Sequence, residues 1–287
     1  MKKNYIKFFK TLPAFIFPFI FAGCGSAVQD ALIYGIDSNK PPANVKSVMA
    51  LVKDVNFVSS KGYTPLMHAA HNSSSPEIIE MLIKEGADVN KGVKGVTPIF
   101  MAAYNPNPLI IETLIKNGAN PNSTDDNGLA PIHYAVRDNP TPEIITVLKK
   151  NGADINKEGF QGLTPLTVAV STSREDMLLA LLKNGANVNQ ATTKRGITPL
   201  MIAAHDAKNP EILEILLNNG ANVNAQGHDG WTALMDAVRR PDKGFIEILL
   251  KHGADPNIKN KDNSTASDIA RCVVRGGCQI ISYGLKP

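Results

Sequence analysis

The sequence has few of the residues and motifs that carry chemistry. Its 287 residues include three cysteines, six histidines and one tryptophan, and aromatic residues make up only 6% of the chain. No Cys/His spacing is typical of a zinc site, and neither a Gly-x-Ser-x-Gly turn nor a phosphate-binding glycine loop occurs. His68 and His71 have no third ligand near them in the sequence. We therefore predict no catalytic residue, no metal and no cofactor, and we expect that the protein is not an enzyme.

Long hydrophobic runs are also scarce. The apolar run of residues 11–22 is too short to cross a bilayer, and Pro13 and Pro18 interrupt it. Basic residues and no acidic residue precede this run. They are Lys2, Lys3, Lys7 and Lys10. A basic start followed by a short apolar run predicts that residues 1–23 are a secretory signal peptide.

The charge balance excludes a nucleic-acid binder. The whole chain has a formal net charge of +4, but the part after the signal peptide holds 26 basic and 26 acidic residues. The remaining lysines are scattered at predicted helix ends, such as Lys84, Lys116 and Lys251, where they favour the negative end of the helix dipole. Binding to phosphates needs a concentrated basic face, so we expect no nucleic-acid partner.

The end of the signal peptide resembles a bacterial lipobox, in which the cysteine is lipidated and becomes the first residue. The matching residues are Phe21-Ala22-Gly23-Cys24, although the family usually has leucine in place of Phe21. The alternative is that Cys24 is an accidental thiol. Gly25 is not the acidic residue of an inner-membrane retention signal. The resemblance thus implies a lipid anchor in the bacterial envelope, on the periplasmic face of the outer membrane, with surface display left open.

The two other cysteines lie close together near the end of the chain. Cys272 and Cys278 are separated by five residues, and an exported compartment permits disulfides. They form either a disulfide or two separate thiols, because the sequence does not give the Cα separation that a disulfide needs.

Between these ends, the chain repeats one sequence motif at a period of 33 or 34 residues. Each unit opens on Thr-Pro-Leu or a variant and closes on Gly-Ala-Asp/Asn-x-Asn. The openings lie at Thr64, Thr97, Ala130, Thr164, Thr198 and Thr232, and the closings begin at Gly86, Gly118, Gly152, Gly185, Gly220 and Gly253. Such a period predicts stacked units, none of which buries its apolar face alone.

The period and the motif together resemble those of the ankyrin repeat family, whose unit carries a T-P-L-H-x-A signature. The histidine of that signature occurs only at His133. The resemblance implies an all-α repeat solenoid of helix-turn-helix units connected by β-turn loops. Six repeats are expected at residues 61–94, 95–127, 128–161, 162–195, 196–229 and 230–262, between degenerate capping repeats at residues 24–60 and 263–287.

Local signals predict how each unit begins and ends its helices. Thr64 is placed to cap a first helix, and Pro65 occupies the first helical position, where its missing N–H has no cost. Ser75 and Pro76 repeat the arrangement for a second helix, which Gly86 ends because a left-handed residue is needed there.

The resemblance also implies where a partner binds. Ankyrin partners usually contact the concave side, at the turn tips and the first-helix ends. The corresponding varied residues are His71, Tyr104, Arg137, Ser171, His205 and Arg239, and their neighbours are Asn72, Asn105, Asp138, Thr172, Asp206 and Arg240. An apolar column before each opening adds Tyr63 and Trp231, and a tip loop adds Phe160. Rigid aromatic and arginine side chains often dominate binding energy. The alternative is an ordinary solvated face.

These expectations favour a non-catalytic scaffold that binds an exported or envelope protein and is itself a monomer. The partner could be a toxin or hydrolase to be neutralised, or an envelope enzyme to be held in place. Two other interpretations stay open. The chain could be an exported effector that binds host proteins, as in some intracellular bacteria, or a structural spacer.

Overall fold

The computed structural model describes residues 25–93 and 95–274. The chain divides into two compact units, the first running to Asp154 and the second beginning at Ile155. Among the described residues no helix is both long enough and apolar enough to span a bilayer. Within those same ranges the regular structure is helical, and the single β-bridge pairs Val93 with Val96. The predicted all-α fold class is confirmed.

The first unit contains four pairs of short helices among its described residues. In each pair a first helix is followed within a few residues by a second helix. The helices are α1 (Gly25–Asp37), α2 (Pro42–Met49), α3 (Pro65–Asn72), α4 (Pro76–Lys84), α5 (Pro98–Ala102), α6 (Pro108–Lys116), α7 (Pro131–Asp138) and α8 (Glu143–Lys150).

The second unit contains three further pairs and one helix that follows them. A single 3₁₀ turn, Phe160–Gly162, precedes the first pair. The helices are α9 (Pro165–Ser171), α10 (Glu175–Lys183), α11 (Pro199–Asp206), α12 (Glu211–Asn218), α13 (Ala233–Ala237), α14 (Gly244–Lys251) and α15 (Ala266–Val274). α15 lies where the sequence predicts a degenerate capping repeat.

Within each unit the helices form two packed layers. In the first unit α1, α3, α5 and α7 pack side by side, and α2, α4, α6 and α8 form a second layer against them. In the second unit α9, α11, α13 and α15 form the row of first helices. The core between the layers is aliphatic and almost fully enclosed, as at Leu66, Ile78 and Leu82. Small alanines such as Ala69 and Ala70, which are fully buried, let neighbouring first helices approach closely.

Most first helices begin as the Thr-Pro signal predicts. The hydroxyl of Thr64 accepts a hydrogen bond from the N–H of Met67 at 3.3 Å, and the threonines that open α9, α11 and α13 do the same. At Ala130, which has no hydroxyl, Nδ1 of His133 accepts from the Ala130 N–H at 3.0 Å. Thr97 differs, because its hydroxyl is buried without a hydrogen-bond partner.

The second helices begin less regularly than the sequence suggested. Ser75 precedes α4, but its side chain makes no capping hydrogen bond. Asn107 does cap α6, by accepting from the N–H of Leu109 at 3.1 Å. Pro142 and Pro210 lie one residue before α8 and α12 and not inside them. Gly86 ends the α4 segment at φ +94°, the left-handed conformation that the closing phrase predicts.

Asparagines at the closing phrases connect each repeat to the next. Nδ2 of Asn56 donates to the carbonyl of Gly86 at 2.8 Å, while Oδ1 of Asn56 accepts from the N–H of Asp88 at 2.8 Å. Nδ2 makes the matching bond from Asn90 to Gly118, Asn122 to Gly152, Asn189 to Gly220 and Asn224 to Gly253. These bonds satisfy carbonyls that a helix end leaves without intrahelical partners.

A second set of polar side chains connects the first helices. Nδ2 of Asn105 lies within 3.1 Å of the carbonyls of Ala70, His71 and Ser73 in the preceding repeat. Asn139 bonds the carbonyls of Ala103 and Asn105 in the same manner. In the second unit the guanidinium of Arg240 takes this role. It donates to the carbonyls of Ala204, His205 and Ala207 and lies 3.8 Å from the ring centroid of Phe245.

We predict that Asn105→Ala destabilises the protein by about 2–4 kcal/mol, because it leaves several buried backbone groups without partners. The control is Asn117→Ala, since Nδ2 of Asn117 bonds only the Thr113 carbonyl of its own helix. This control should cost about 0.5 kcal/mol or less. Urea unfolding of both variants measures the difference. Equal losses would show that the connection between repeats contributes little.

Candidate functional site

Three of the predicted contact residues in the first unit lie side by side. His71 is in the last turn of α3, Tyr104 lies two residues after the end of α5, and Arg137 is in the last turn of α7. Because α3, α5 and α7 pack in one row, their ends bring these side chains together. The ring centroids of His71 and Tyr104 are 5.9 Å apart. The structure thus places this part of the predicted column on one face of the unit.

Tyr134 completes this cluster, and the sequence analysis did not single it out. It lies on α7, three residues before Arg137, which places the two side chains on one helix face. Its ring centroid is 5.9 Å from that of Tyr104, and the guanidinium carbon of Arg137 is 5.2 Å from the Tyr134 ring. The helical spacing of Tyr134 and Arg137 was the available signal for it. We call His71, Tyr104, Tyr134 and Arg137 the aromatic cluster.

Hydrogen bonds hold the far end of the aromatic cluster in place. The Tyr134 hydroxyl donates to Oδ2 of Asp125 at 2.6 Å. Burial and this bond to a carboxylate raise the pKa of Tyr134 far above its ordinary value, so the hydroxyl stays protonated and remains a donor. Nε of Arg137 donates to Asp138 at 2.8 Å. Both side chains therefore have a defined position before any partner arrives.

A pocket of about 240 Å³ lies next to the aromatic cluster. Its lining residues come from the tip loop before α3, from α3 itself and from α5. They are Lys61, Tyr63, His68, His71, Asn72 and Met101. Tyr63 remains 37% exposed and meets the ring of His68 edge-on, at a centroid distance of 5.9 Å. The predicted anchor Tyr63 and the column residue His71 therefore line one depression.

Asp37 connects three of the residues that line this pocket. Its carboxylate accepts from Nζ of Lys61 at 2.7 Å, from Nδ2 of Asn72 at 2.8 Å and from His68 at 2.9 Å. Burial would raise the pKa of Asp37, but the hydrogen bonds from Lys61 and His68 outweigh it and hold the pKa below its ordinary value.

The ionised carboxylate of Asp37 fixes the orientation of His68. Because this carboxylate can only accept, Nδ1 of His68 carries the proton and donates to it. Nε2 of His68 lies 2.9 Å from the hydroxyl of Ser59, which completes its bonding. His68 is only 3% exposed. Both ring nitrogens of His68 therefore have hydrogen-bond partners. Its role is structural, and its fixed ring forms part of the pocket wall.

In the second unit the structure brings one pair of the predicted residues, Trp231 and Arg239, into contact. The guanidinium carbon of Arg239 lies 5.4 Å from the Trp231 ring, within the range of a cation–π contact. Nδ1 of His205, at the end of α11, is 2.6 Å from Oδ1 of Asp206. Phe160 lies in the 3₁₀ turn of its tip loop and is 52% exposed, beside Gln161 at φ +60°.

Two residues of the neighbouring column are structural, contrary to prediction. Asn105 is only 2% exposed, so it cannot contact a partner. The guanidinium of Arg240 is occupied by three carbonyls of the preceding repeat. Both positions follow the first helix so closely that their polar groups fold back onto helix ends. Sequence spacing alone did not distinguish them from the exposed members of the column.

The predicted modification sites are not described by the structure. Cys24 and Cys278 lie outside the described residues, and Cys272 belongs to the last turns of α15. The lipid anchor and the disulfide therefore stay predictions. Within the described ranges, no group of three or more His, Cys, Asp or Glu side chains is arranged to hold a metal ion.

We predict that stability depends on the protonation of His205. The hydrogen bond with Asp206 raises the pKa of His205 above its ordinary value, despite the burial that would lower it. Asp236 also raises this pKa, and Arg239 lowers it. The protonated form therefore stabilises the folded state. This stability is fully present below the unfolded-state pKa of about 6.5 and is lost as pH rises through the folded-state value.

Asp206→Asn tests this dependence. The variant should lower the pKa of His205 in an NMR titration of the histidine rings. It should also flatten the loss of unfolding free energy above about pH 6.5. Asp242→Asn, at an exposed carboxylate outside the last turn of α11, is the control and should leave both curves unchanged. An unchanged His205 titration in Asp206→Asn would contradict the assignment.

Comparisons with known proteins agree with this architecture. The crystal structure of the ankyrin repeat domain of Bcl-3, described as a unique member of the IkappaB protein family, matches with a TM-score of 0.63 and 28% identity. The match covers 75% of this chain and 99% of that one. The human ASB11 ankyrin repeat domain matches with a TM-score of 0.64 and 28% identity, covering 80% of this chain and 98% of its own.

A sequence relative matches over a shorter segment. Alpha-latrotoxin-Lg1a of Latrodectus geometricus is 34% identical over 87 residues, which are 29% of this chain. This chain spans only 6% of the length of that toxin. The match therefore concerns a short segment of the toxin and not the whole protein.

A family model also matches most of the chain. The model for ankyrin repeats in three copies matches residues 32–125, 99–192 and 189–260. Ankyrin repeat domains typically bind proteins and are usually not catalytic. Because these matches cover most of the sequence, the chain belongs to the ankyrin repeat family.

Proposed function

We propose that this protein is a non-catalytic scaffold that binds one exported protein through the first-helix ends of its repeats. The observation that carries this proposal is the contrast between constant and varied positions. Thr-Pro openings, closing glycines and linking asparagines recur in nearly every repeat, whereas the first-helix ends carry different side chains. Structural needs explain the constant positions. They do not explain why His71, Tyr104 and Arg137 occupy equivalent places in successive repeats.

The chemistry of these varied positions suits protein binding. Tyrosine, tryptophan and arginine are enriched among the residues that dominate interface energies. Tyr104, Arg137, Trp231 and Arg239 all remain partly exposed. Arg137 and Arg239 are each already placed over an aromatic ring. A partner therefore meets side chains that need little further ordering, which lowers the entropic cost of association.

We further propose that the protein is anchored in the bacterial envelope through Cys24. Its support is the order of a basic start, a short apolar run and Phe21-Ala22-Gly23-Cys24. The absence of an acidic residue at Gly25 favours the periplasmic face of the outer membrane. An envelope location makes an exported toxin, hydrolase or envelope enzyme the natural partner class, and a monomer with two capped ends is the expected form.

Crosslinking in intact cells tests the binding function. A tagged chain should capture one exported protein, identified by mass spectrometry, and the variant Tyr104→Ala/Arg137→Ala/Trp231→Ala should lose it. The matched control is Leu109→Ala/Leu179→Ala/Leu250→Ala, which removes exposed side chains from the second helices α6, α10 and α14. Thermal melting of both variants separates loss of binding from loss of folding.

The outcomes discriminate between the interpretations. Loss of the captured protein in the first variant alone supports a specific binder. A host protein in its place would favour an effector. No captured protein in any version, or equal loss in both folded variants, would contradict the scaffold and favour a structural spacer.

Fractionation tests the anchor independently of the partner. The wild-type chain should sediment with membranes and stay there in high salt, whereas Cys24→Ala should appear in the soluble fraction. One acyl chain alone gives only marginal membrane binding. Stable sedimentation of the wild-type chain therefore needs more than one acyl chain on Cys24, and the Cys24→Ala variant has none. Cys272→Ala is the control and should remain with the membranes. A soluble wild-type chain, or a membrane-bound Cys24→Ala chain, would contradict the lipid anchor.

A further inference from the structure

One asparagine in a tip loop differs from the other asparagines that precede a glycine. The sequence contains five Asn-Gly pairs, at residues 117–118, 127–128, 151–152, 184–185 and 219–220. In four of them the asparagine directly follows a second helix and precedes the closing glycine. The fifth pair, Asn127-Gly128, lies in the loop between α6 and α7. The five pairs are the same in sequence, so a difference in their reactivity has to come from the structure.

An Asn-Gly pair is chemically reactive because glycine has no Cβ to shield its backbone nitrogen. The deprotonated glycine nitrogen attacks Cγ of the asparagine, a new C–N bond forms, and the side-chain nitrogen leaves as ammonia. Water then opens the resulting cyclic imide at either carbonyl, which gives aspartate or isoaspartate. The net reaction consumes one water and releases one ammonia. It requires the glycine nitrogen and the asparagine side chain to leave their hydrogen bonds and approach each other.

The four helix-end pairs are held away from this geometry. Each asparagine donates from Nδ2 to the carbonyl four residues earlier at 2.8 Å. The N–H of each following glycine donates to the carbonyl three residues before it, at 3.0–3.1 Å. These bonds belong to the last turn of the second helix, so reaction at the four sites requires that turn to open.

Asn127 is held less firmly. The residue is exposed, and its Nδ2 lies 3.4 Å from Oδ2 of Asp125, which is at the long limit of a hydrogen bond. The N–H of Gly128 donates to the Asp125 carbonyl at 2.9 Å and closes a single turn. Oδ1 of Asp125 accepts from the N–H groups of Asn127 and Leu129. Opening this turn disrupts no helix, so it costs less free energy than opening a helix end.

We infer that Asn127 is a site of spontaneous deamidation and that it reacts faster than the four helix-end asparagines. The inference goes beyond the proposed function and does not depend on it. The fold does not require an asparagine at this position. In the repeat that opens at Thr64 the equivalent residue is Lys61, and the N–H of Gly62 donates to the Ser59 carbonyl at 2.8 Å in the same kind of turn. Asn127→Lys therefore removes the reactive amide and keeps the turn.

Isoaspartate at this position would disturb the aromatic cluster. Its main chain runs through the side-chain Cγ and contains one additional carbon atom. The addition lengthens the segment between Asp125 and Leu129, which a bond from the Leu129 N–H to the Asp125 carboxylate now spans at 2.8 Å. The same carboxylate accepts from the Tyr134 hydroxyl at 2.6 Å. Modification of the exposed loop therefore loosens the contact that fixes Tyr134.

Peptide mapping of the aged full chain tests the inference. Purified protein is incubated at slightly alkaline pH, and mass spectrometry with electron-transfer fragmentation measures aspartate and isoaspartate at each of the five pairs. Reaction at Asn127 should be at least about tenfold faster than at any helix-end pair. In concentrated urea, where the turn and the helices are lost, the five rates should converge. The Asn127→Lys variant should show only the slow helix-end reactions.

Two further measurements test the role of the loop. Asp125→Ala removes both side-chain bonds within the turn, so it should accelerate the reaction at Asn127 and leave the helix-end rates unchanged. The NMR signal of the Tyr134 ring, assigned with Tyr134→Phe, should shift in aged wild-type protein as isoaspartate forms. It should not shift in aged Asn127→Lys.

Other results overturn the inference. Equal rates at the five pairs of the folded chain, a faster helix-end pair, or no reaction at Asn127 would each contradict it. An unaccelerated reaction in Asp125→Ala would contradict the argument from the loop hydrogen bonds. An unchanged Tyr134 signal in protein that contains isoaspartate would remove the link to the aromatic cluster. None of these measurements uses a partner, so the scaffold function stands or fails separately.

Discussion

The structure depends on polar side chains that satisfy the helix ends of a neighbouring repeat. Every helix leaves its last carbonyls without intrahelical partners. Here the amides of Asn56, Asn90 and Asn122 supply donors to those carbonyls in the first unit, and Asn189 and Asn224 do so in the second. Each repeat therefore completes the hydrogen bonding of the next as well as covering its apolar face. Neither task can be done by a repeat alone, which is why such units fold as neighbours.

Because other residues connect the repeats, the side chains at the first-helix ends can differ from one repeat to the next. The closing asparagines, the buried alanines and the aliphatic core maintain the register between repeats, so residues such as His71, Tyr104 and Arg137 do not have to. Where a polar residue at this end is needed for structure, it turns inward, as Asn105 does. Where it is not, it stays on the surface and contacts the equivalent residue of the next repeat. The aromatic cluster is the result of that arrangement in the first unit.

The sequence predicted the features that depend only on residues close together in the chain. Thr64 caps its helix through a residue three positions away, and the left-handed Gly86 needs no distant partner. The structural roles of Asn105, Asn139 and Arg240, which sequence reasoning missed, depend on residues 32–36 positions away. Asn105 and Arg240 resemble surface residues in a column of varied positions. Their roles become visible only in the structure, where backbone carbonyls of the preceding repeat lie within hydrogen-bonding distance of their side chains.

The same limit applies to the candidate site. Its column was predictable because the repeat places equivalent residues next to each other, but Tyr134 was missed because its role depends on Tyr104 one repeat earlier. The pocket combines three segments of the sequence: the tip loop with Lys61, α3 with His68, and Met101 on α5. Asp37 at the end of α1 accepts hydrogen bonds from Lys61, His68 and Asn72, and no single segment encodes that arrangement.

Site-specific photocrosslinking in intact cells tests most directly the claim that the first-helix ends form the binding surface. A photoreactive phenylalanine replaces Tyr104 in one version and exposed Leu109, on the second helix α6, in the other. The account predicts one discrete crosslinked protein from position 104 and none from position 109. Crosslinks from position 109 alone would place the partner on the opposite layer of helices and contradict the account.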